Sequence, residues 1–334
     1  MTHIPPRLTP RQAGRTLIEL IIAMAIGMVI LIGVGALYLS SSGVSRVANQ
    51  AGSAEDTGRL VMTMIGEGIK AGGYSEIVGS DYSAQGQTLF DGPVVRGCAG
   101  SRFTDAFNAV TPDFACTGAA PGDQVLFRFQ GRYSVVQMDA ANLAAATLPD
   151  CLGASNGNQD ALFNPATARA GAGTTRRVVQ SAFSLDAGGT VLRCEGNGNP
   201  GVPTPIVNDM IDFRVFYRFD DGGFALAAGN GTNYAPVGGS IRDATWINTA
   251  AGGSPTDPWN YVVGVIVCVT VASREQGTSL QATNTAAPRC PRTAAEAAGG
   301  TALTETSTDG RVRRTFLETF TVRSQATGAP SIAL

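Results

Sequence analysis

Histidine is almost missing from these 334 residues: the single one, His3, lies ahead of the first long apolar run. Its absence elsewhere removes Ser-His-Asp and Cys-His nucleophilic chemistry, and any histidine-ligated metal site, from the rest of the chain. No spacing of acidic residues points to carboxylate-only chemistry either, so no enzymatic activity, cofactor or metal is expected. Lysine is nearly as scarce. Lys70 is the only one among 24 basic residues, which reads as codon bias rather than function. Neither sign of charge dominates, with 24 basic against 26 acidic residues and a net charge of −2. There is no basic block, so nucleic-acid binding through an electrostatic footprint has no support. Cysteines spaced as CxxC are also lacking, which argues against a zinc ribbon or a thioredoxin-type site.

What the chain does have is six cysteines, at Cys98, Cys116, Cys151, Cys194, Cys268 and Cys290. An even number in a chain that leaves the cytoplasm reads as disulfides. Pairing in sequence order closes the shortest loops and is the expected connectivity, most firmly for Cys268 with Cys290. The length suffices for one large or two small domains with a sizeable core. Glycine is abundant, at 42 residues, and with the many Ala, Asn and Thr it indicates long surface loops on a β framework.

One apolar run organises everything else. Residues 20–39 contain no charge, and as a helix they would be about 30 Å long, one bilayer core. Arg7, Arg11 and Arg15 precede the run and the next basic residue is Arg46, so the positive-inside rule places the N-terminus in the cytoplasm. An apolar stretch from Gly14 to Leu39 is too long for a cleaved secretory signal, whose core is about 7–15 residues. Against this background stands one carboxylate, Glu19. A charge inside hydrocarbon costs roughly 2.5–3.5 kcal/mol even on a lenient scale, so Glu19 asks for a partner. Ala23 and Gly27 form a small-xxx-small pair that lets another helix approach closely.

A short basic leader ending in Gly14, the start Thr16-Leu17-Ile18-Glu19-Leu20, and an uninterrupted apolar helix together resemble the class III signal of type IV pilins and type II secretion pseudopilins. The resemblance implies cleavage after Gly14 by prepilin peptidase, a mature chain starting at Arg15 with a methylated amine, and Glu19 as a subunit-assembly residue. Members of this group usually begin the mature chain with Phe. A guanidinium at Arg15 in every copy would hinder side-by-side packing, which favours a rare subunit. Loss of residues 1–14 would leave 22 basic against 26 acidic residues.

Beyond the apolar run, Val61, Met64, Ile65, Gly68 and Ile69 fall on one helical face, so one long helix is expected to continue to Gly72-Gly73, which stops it. Strands are expected at 124–129 and 132–138 (joined at Gln130-Gly131), and one or two over 178–194. Loops fill 139–175, and 196–201 reads as a turn. Residues 210–219 alternate Ile211, Phe213, Val215, Tyr217 and Phe219 against Asp212, Arg214, Phe216 and Arg218 and should form a strand closed by a hairpin at 220–223. That acidic turn lacks the spaced oxygen ligands of a calcium loop. Residues 259–271 are nearly continuous β-branched and read as a central strand buried on both faces. Residues 311–323 should be the last strand, with Arg311, Arg313 and Arg314 on a solvated face.

The segment from Lys70 to Tyr74 and the stretches 208–223, 259–273 and 309–325 resemble PilW-type minor pilins. The expected fold is α+β: a long N-terminal helix packed on an antiparallel sheet, with an enlarged, disulfide-stapled β region. The expected divisions are a leader over 1–14, a transmembrane or filament-core helix over 15–39, its amphipathic continuation over 40–73, and an exported globular domain over 74–334. The resemblance implies a minor pilin that supports type IV pilus assembly, with adhesion, twitching motility or DNA uptake downstream. Its partners would be prepilin peptidase, other major and minor pilins and the inner-membrane assembly platform. It would span the inner membrane once before assembly and lie in the pilus afterwards. A minor pseudopilin shares every N-terminal feature, and a tethered binding module that never polymerises is the reading from another class.

Overall fold

A computed structural model describes residues 16–73, 93–107, 113–130, 150–152, 178–221, 239–250, 257–274 and 285–322. Gly14, Arg15, the strand expected at 132–138, the loops at 139–149 and 153–175, and Gly222-Gly223 lie outside them. The chain divides into two compact units, Met1–Asn49 and Gln50–Leu334. The helix α1, Leu17–Ala71, contributes to both.

In the first unit α1 is unbroken through its apolar residues, which are exposed along its whole length, from Leu20 at 51 % to Leu37 at 72 %. Gly27, Gly33 and Gly35 meet nothing there. Among the described residues α1 is the one helix long and apolar enough to cross a membrane.

The second unit is built on two antiparallel sheets. One contains β1 (Val95–Cys98), β4 (Gln124–Gln130), β5 (Val178–Leu185), β6 (Leu192–Gly196) and β7 (Thr204–Val207), in the order β1-β4-β5-β6-β7. The other contains β8 (Met210–Phe219), β9 (Ser240–Arg242), β10 (Val262–Ala272) and β13 (Arg313–Thr321), in the order β13-β10-β8-β9. Two hairpins accompany them, β2 (Arg102–Asp105) with β3 (Asp113–Thr117), and β11 (Thr285–Pro288) with β12 (Thr304–Ser307). Short helices α2 (Ala244–Thr249) and α3 (Ala294–Gly299) are capped by Asp243 and Thr293, whose side chains accept the Trp246 and Glu296 amides.

β10 is flanked by β13 and β8 and is buried almost throughout, as its β-branched run requires. It begins later than the sequence suggests, because Asp257 caps a 3-10 turn over Pro258–Tyr261 that places Trp259 in the core. The turn after β8 is not a tight hairpin. β8 pairs with β9, some twenty residues on, and Asp221 reaches Arg242 at 3.1 Å.

The inner faces of both sheets share one core with α1, including Val61, Ile65, Ile69, Phe127, Phe183, Phe213, Tyr217 and Val267. The helix face is broader than the expected stripe. Ala54, Gly58, Met62 and Gly66 are buried, whereas Met64 and Gly68 are only half-buried. The cause is that rings arrive from both sheets: a β-carbon at Gly58 would overlap Phe316, one at Gly66 would overlap Phe320, and one at Gly68 would overlap Phe127. The helix ends at Gly73, whose φ is 72° and whose N–H donates to the Arg128 carbonyl at 2.8 Å, tying the helix end to β4.

Candidate functional site

The first turn of α1 is closed by the Thr16 carbonyl, which accepts N–H bonds from Glu19 at 3.1 Å and Leu20 at 3.4 Å. Glu19 is thus in the first turn, where the helix dipole favours an acid. No other charged residue occurs from Leu17 to Ser45. The side chains around it (Leu17, Ile18, Leu20, Ile21 and Ile22) are all more than half exposed. A contiguous apolar surface of this extent is a membrane or protein contact, since monomeric soluble proteins rarely leave one open. Among the described residues the site is therefore an apolar surface with one charged point, the Glu19 carboxylate, whose solvation is what any contact must supply. Gly14 and Arg15, the other two residues singled out with it, lie outside the described residues.

The six cysteines pair in sequence order: Cys98–Cys116, Cys151–Cys194 and Cys268–Cys290, with Cα separations of 5.6, 6.3 and 5.7 Å. The first fastens the β2–β3 hairpin over the outer face of the five-stranded sheet, where Phe103, Phe107 and Phe114 surround Leu126 and Ala182. The third fastens the 285–313 region over the outer face of the other sheet, where Ala297 meets Phe216 and Ile266.

The arginines at the start of β13 and just before it are not all on a solvated face. Arg313 pairs with Glu305 at 2.9 Å and with Asp309 at 3.1 Å, and Arg311 reaches Asp309 at 3.3 Å; only Arg314 is exposed. The reason is that the β11–β12 hairpin and α3 fold over them, bringing Arg292–Glu305 and Arg289–Glu296 into the same row. The Arg289 guanidinium, together with the Arg292 amide, holds the Glu296 carboxyl down to about 2. Between the two sheets, burial pushes the Asp123 carboxyl up, although its oxygens accept N–H bonds from Val215 at 2.8 Å and Gly100 at 2.9 Å. Asp123 went unnoticed in the sequence because Pro121-Gly122 before it reads only as a turn. Asp221 in the acidic turn is paired with Arg242, whose guanidinium lies 4.1 Å from the Trp246 ring. Among the described residues no group of three or more His, Cys, Asp or Glu side chains stands together as a metal site would need.

Residues 9–35 match the family described as "Prokaryotic N-terminal methylation motif". That span contains Gly14, Arg15, Glu19 and most of the apolar run, through Gly35. No curated protein matches the chain. Among solved structures, a type IV-like pilin from Thermus thermophilus is similar at a TM-score of 0.40 and 13 % identity, over 81 % of this chain and 96 % of that one.

Proposed function

We propose that this chain is a minor pilin of the PilW type, cleaved after Gly14 by prepilin peptidase, methylated on the new amine of Arg15 and inserted into a type IV pilus. The observation that carries this reading is the coincidence of the methylation motif at 9–35 with an exposed apolar helix bearing one acid, Glu19. Before assembly the helix crosses the inner membrane once, N-terminus in the cytoplasm, and residues 74–334 face the periplasm. Its partners are the peptidase, the helices of other pilins and the inner-membrane assembly platform.

The role of Glu19 follows from charge arithmetic. Cleavage creates an α-amino group four residues before Glu19, a spacing of about 6 Å in helical conformation at 1.5 Å per residue. In the membrane both groups sit near the cytoplasmic interface, where water and headgroups solvate them. Moved into a core of apolar helices, an unpaired carboxylate loses that solvation at a cost of several kcal/mol. The amine or Arg15 guanidinium of a neighbouring subunit supplies the missing charge only when the axial offset is right. The pair therefore sets register as well as offsetting desolvation. A pseudopilin would use the same motif in the same way, so the role in a pilus rests on where the chain is assembled.

Processing tests the reading first. Mass spectrometry of the purified chain is expected to find an N-terminus at Arg15 carrying a methyl group. Gly14→Val should retain residues 1–14, because a branched side chain does not fit a site that accepts glycine. A wild-type chain beginning at Met1, or cut beyond Ala36, overturns the proposal.

A further inference from the structure

Three of the four outer edges of the two sheets are guarded against further strand pairing. β1 has four residues and β9 three, while β7 carries Pro205 and a register break opposite Leu192 and Arg193. β13 is different. Its nine residues pair with β10 without interruption from Gly264↔Thr321 to Ala272↔Arg313, and among the described residues no strand lies on its other side. The Val322 N–H donates to the Val263 carbonyl and the Ser273 N–H to the Val312 carbonyl, so even-numbered residues here turn their backbone toward β10. By the alternation of an antiparallel ladder, the backbone N–H and C=O groups of Thr315, Leu317 and Thr319 face the open edge. Leu317, Glu318 and Thr319 are exposed, so α1, which covers Phe316 and Phe320 and brings Glu55 near Arg314, leaves the edge open at these three residues.

We propose that β13 is a docking edge for a second copy of this chain, the two β13 strands pairing antiparallel about a two-fold axis through Phe316. The charges select both partner and register. In this register Thr315 lies opposite Leu317, as the outward-facing backbone groups require, and Arg314 of each copy lies opposite Glu318 of the other. A shift of two residues in either direction removes both opposite-charge pairs. The strand is thus its own electrostatic complement, the condition for an isologous contact. Copies related in this way face opposite directions along the sheet.

The test uses the full-length chain in detergent micelles and reads its oligomeric state by sedimentation. Wild type should show a monomer–dimer equilibrium. Arg314→Glu and Glu318→Arg each create two like-charge pairs in the homodimer and should weaken it by roughly ten- to a hundredfold. An equimolar mixture of the two variants restores both opposite-charge pairs and should dimerise like wild type, which association through the apolar helix or a folding defect would not produce. Thr319→Pro removes an outward-facing N–H, and should leave the chain monomeric with an unchanged melting temperature. A monomeric wild type, single variants that dimerise as wild type does, or a mixture that stays monomeric would each overturn the proposal.

Discussion

Replacing Gly66 by alanine sets two effects of opposite sign against each other. Alanine is the better helix former by about 1 kcal/mol. At Gly66, however, the new methyl would occupy space held by the Phe320 ring, which is only 3 % exposed and lies beneath the Lys70 ammonium at 5.6 Å. Forcing a methyl into a filled core costs about 1–3 kcal/mol, so the net result should be a loss of up to about 2 kcal/mol. Gly52 supplies the contrast: it lies on the same helix with nothing within 4 Å of its would-be β-carbon, and Gly52→Ala should gain about 0.5–1 kcal/mol. Urea unfolding followed by tryptophan fluorescence is the assay, since both tryptophans, Trp246 and Trp259, belong to the second unit. Trimming the ring should remove the penalty, so the cost of Gly66→Ala should fall by at least about 0.5 kcal/mol in a Phe320→Leu background. If Gly66→Ala stabilises as much as Gly52→Ala, the helix is not seated on Phe320 as described.

Two further outcomes follow from the second unit. Glu296 titrates at about 2 in the folded chain, below its ordinary value of 4.5; a depressed carboxyl stabilises above the unfolded value and loses that contribution as pH falls through the folded one. The stability difference between wild type and Glu296→Gln, from denaturation series, should therefore shrink between pH 4.5 and pH 2, and a difference constant over that window would contradict the Arg289 pairing. Removing the Cys268–Cys290 bridge, which spans 22 residues, should cost about 3 kcal/mol by loop entropy, read as a lower urea midpoint for the Cys268→Ala/Cys290→Ala chain.

Elements whose pattern is local were legible in advance. β8 occupies the residues whose alternation marked it, and β10 is central because its β-branched run has no polar face to give to water. The cysteines pair in sequence order, as the shortest loops suggested. Glu19 was conspicuous because a single charge on an apolar run is costly wherever the run goes. Features that depend on distant residues were not legible. Nothing local marked Gly58 or Gly66, and Gly68 read only as part of the apolar helical face, because the rings that need their space come from Phe316, Phe320 and Phe127. Arg313 read as solvated because Glu305 and Asp309 reach it only once the β11–β12 hairpin has folded back. The turn at Asp220-Asp221 had hairpin chemistry, yet β8 takes a partner from well beyond it.

On the proposed function, Glu19 admits this chain to a filament. Immunodetection in sheared pili, with wild type beside Glu19→Ala and both checked for membrane insertion and processing at Gly14, tests it most directly. Wild type is expected in the sheared fraction, and Glu19→Ala inserted, processed and absent from it. Equal amounts of both in the filaments would reduce Glu19 to a tolerated residue of the anchor, and absence of wild type from them would contradict the pilin reading itself.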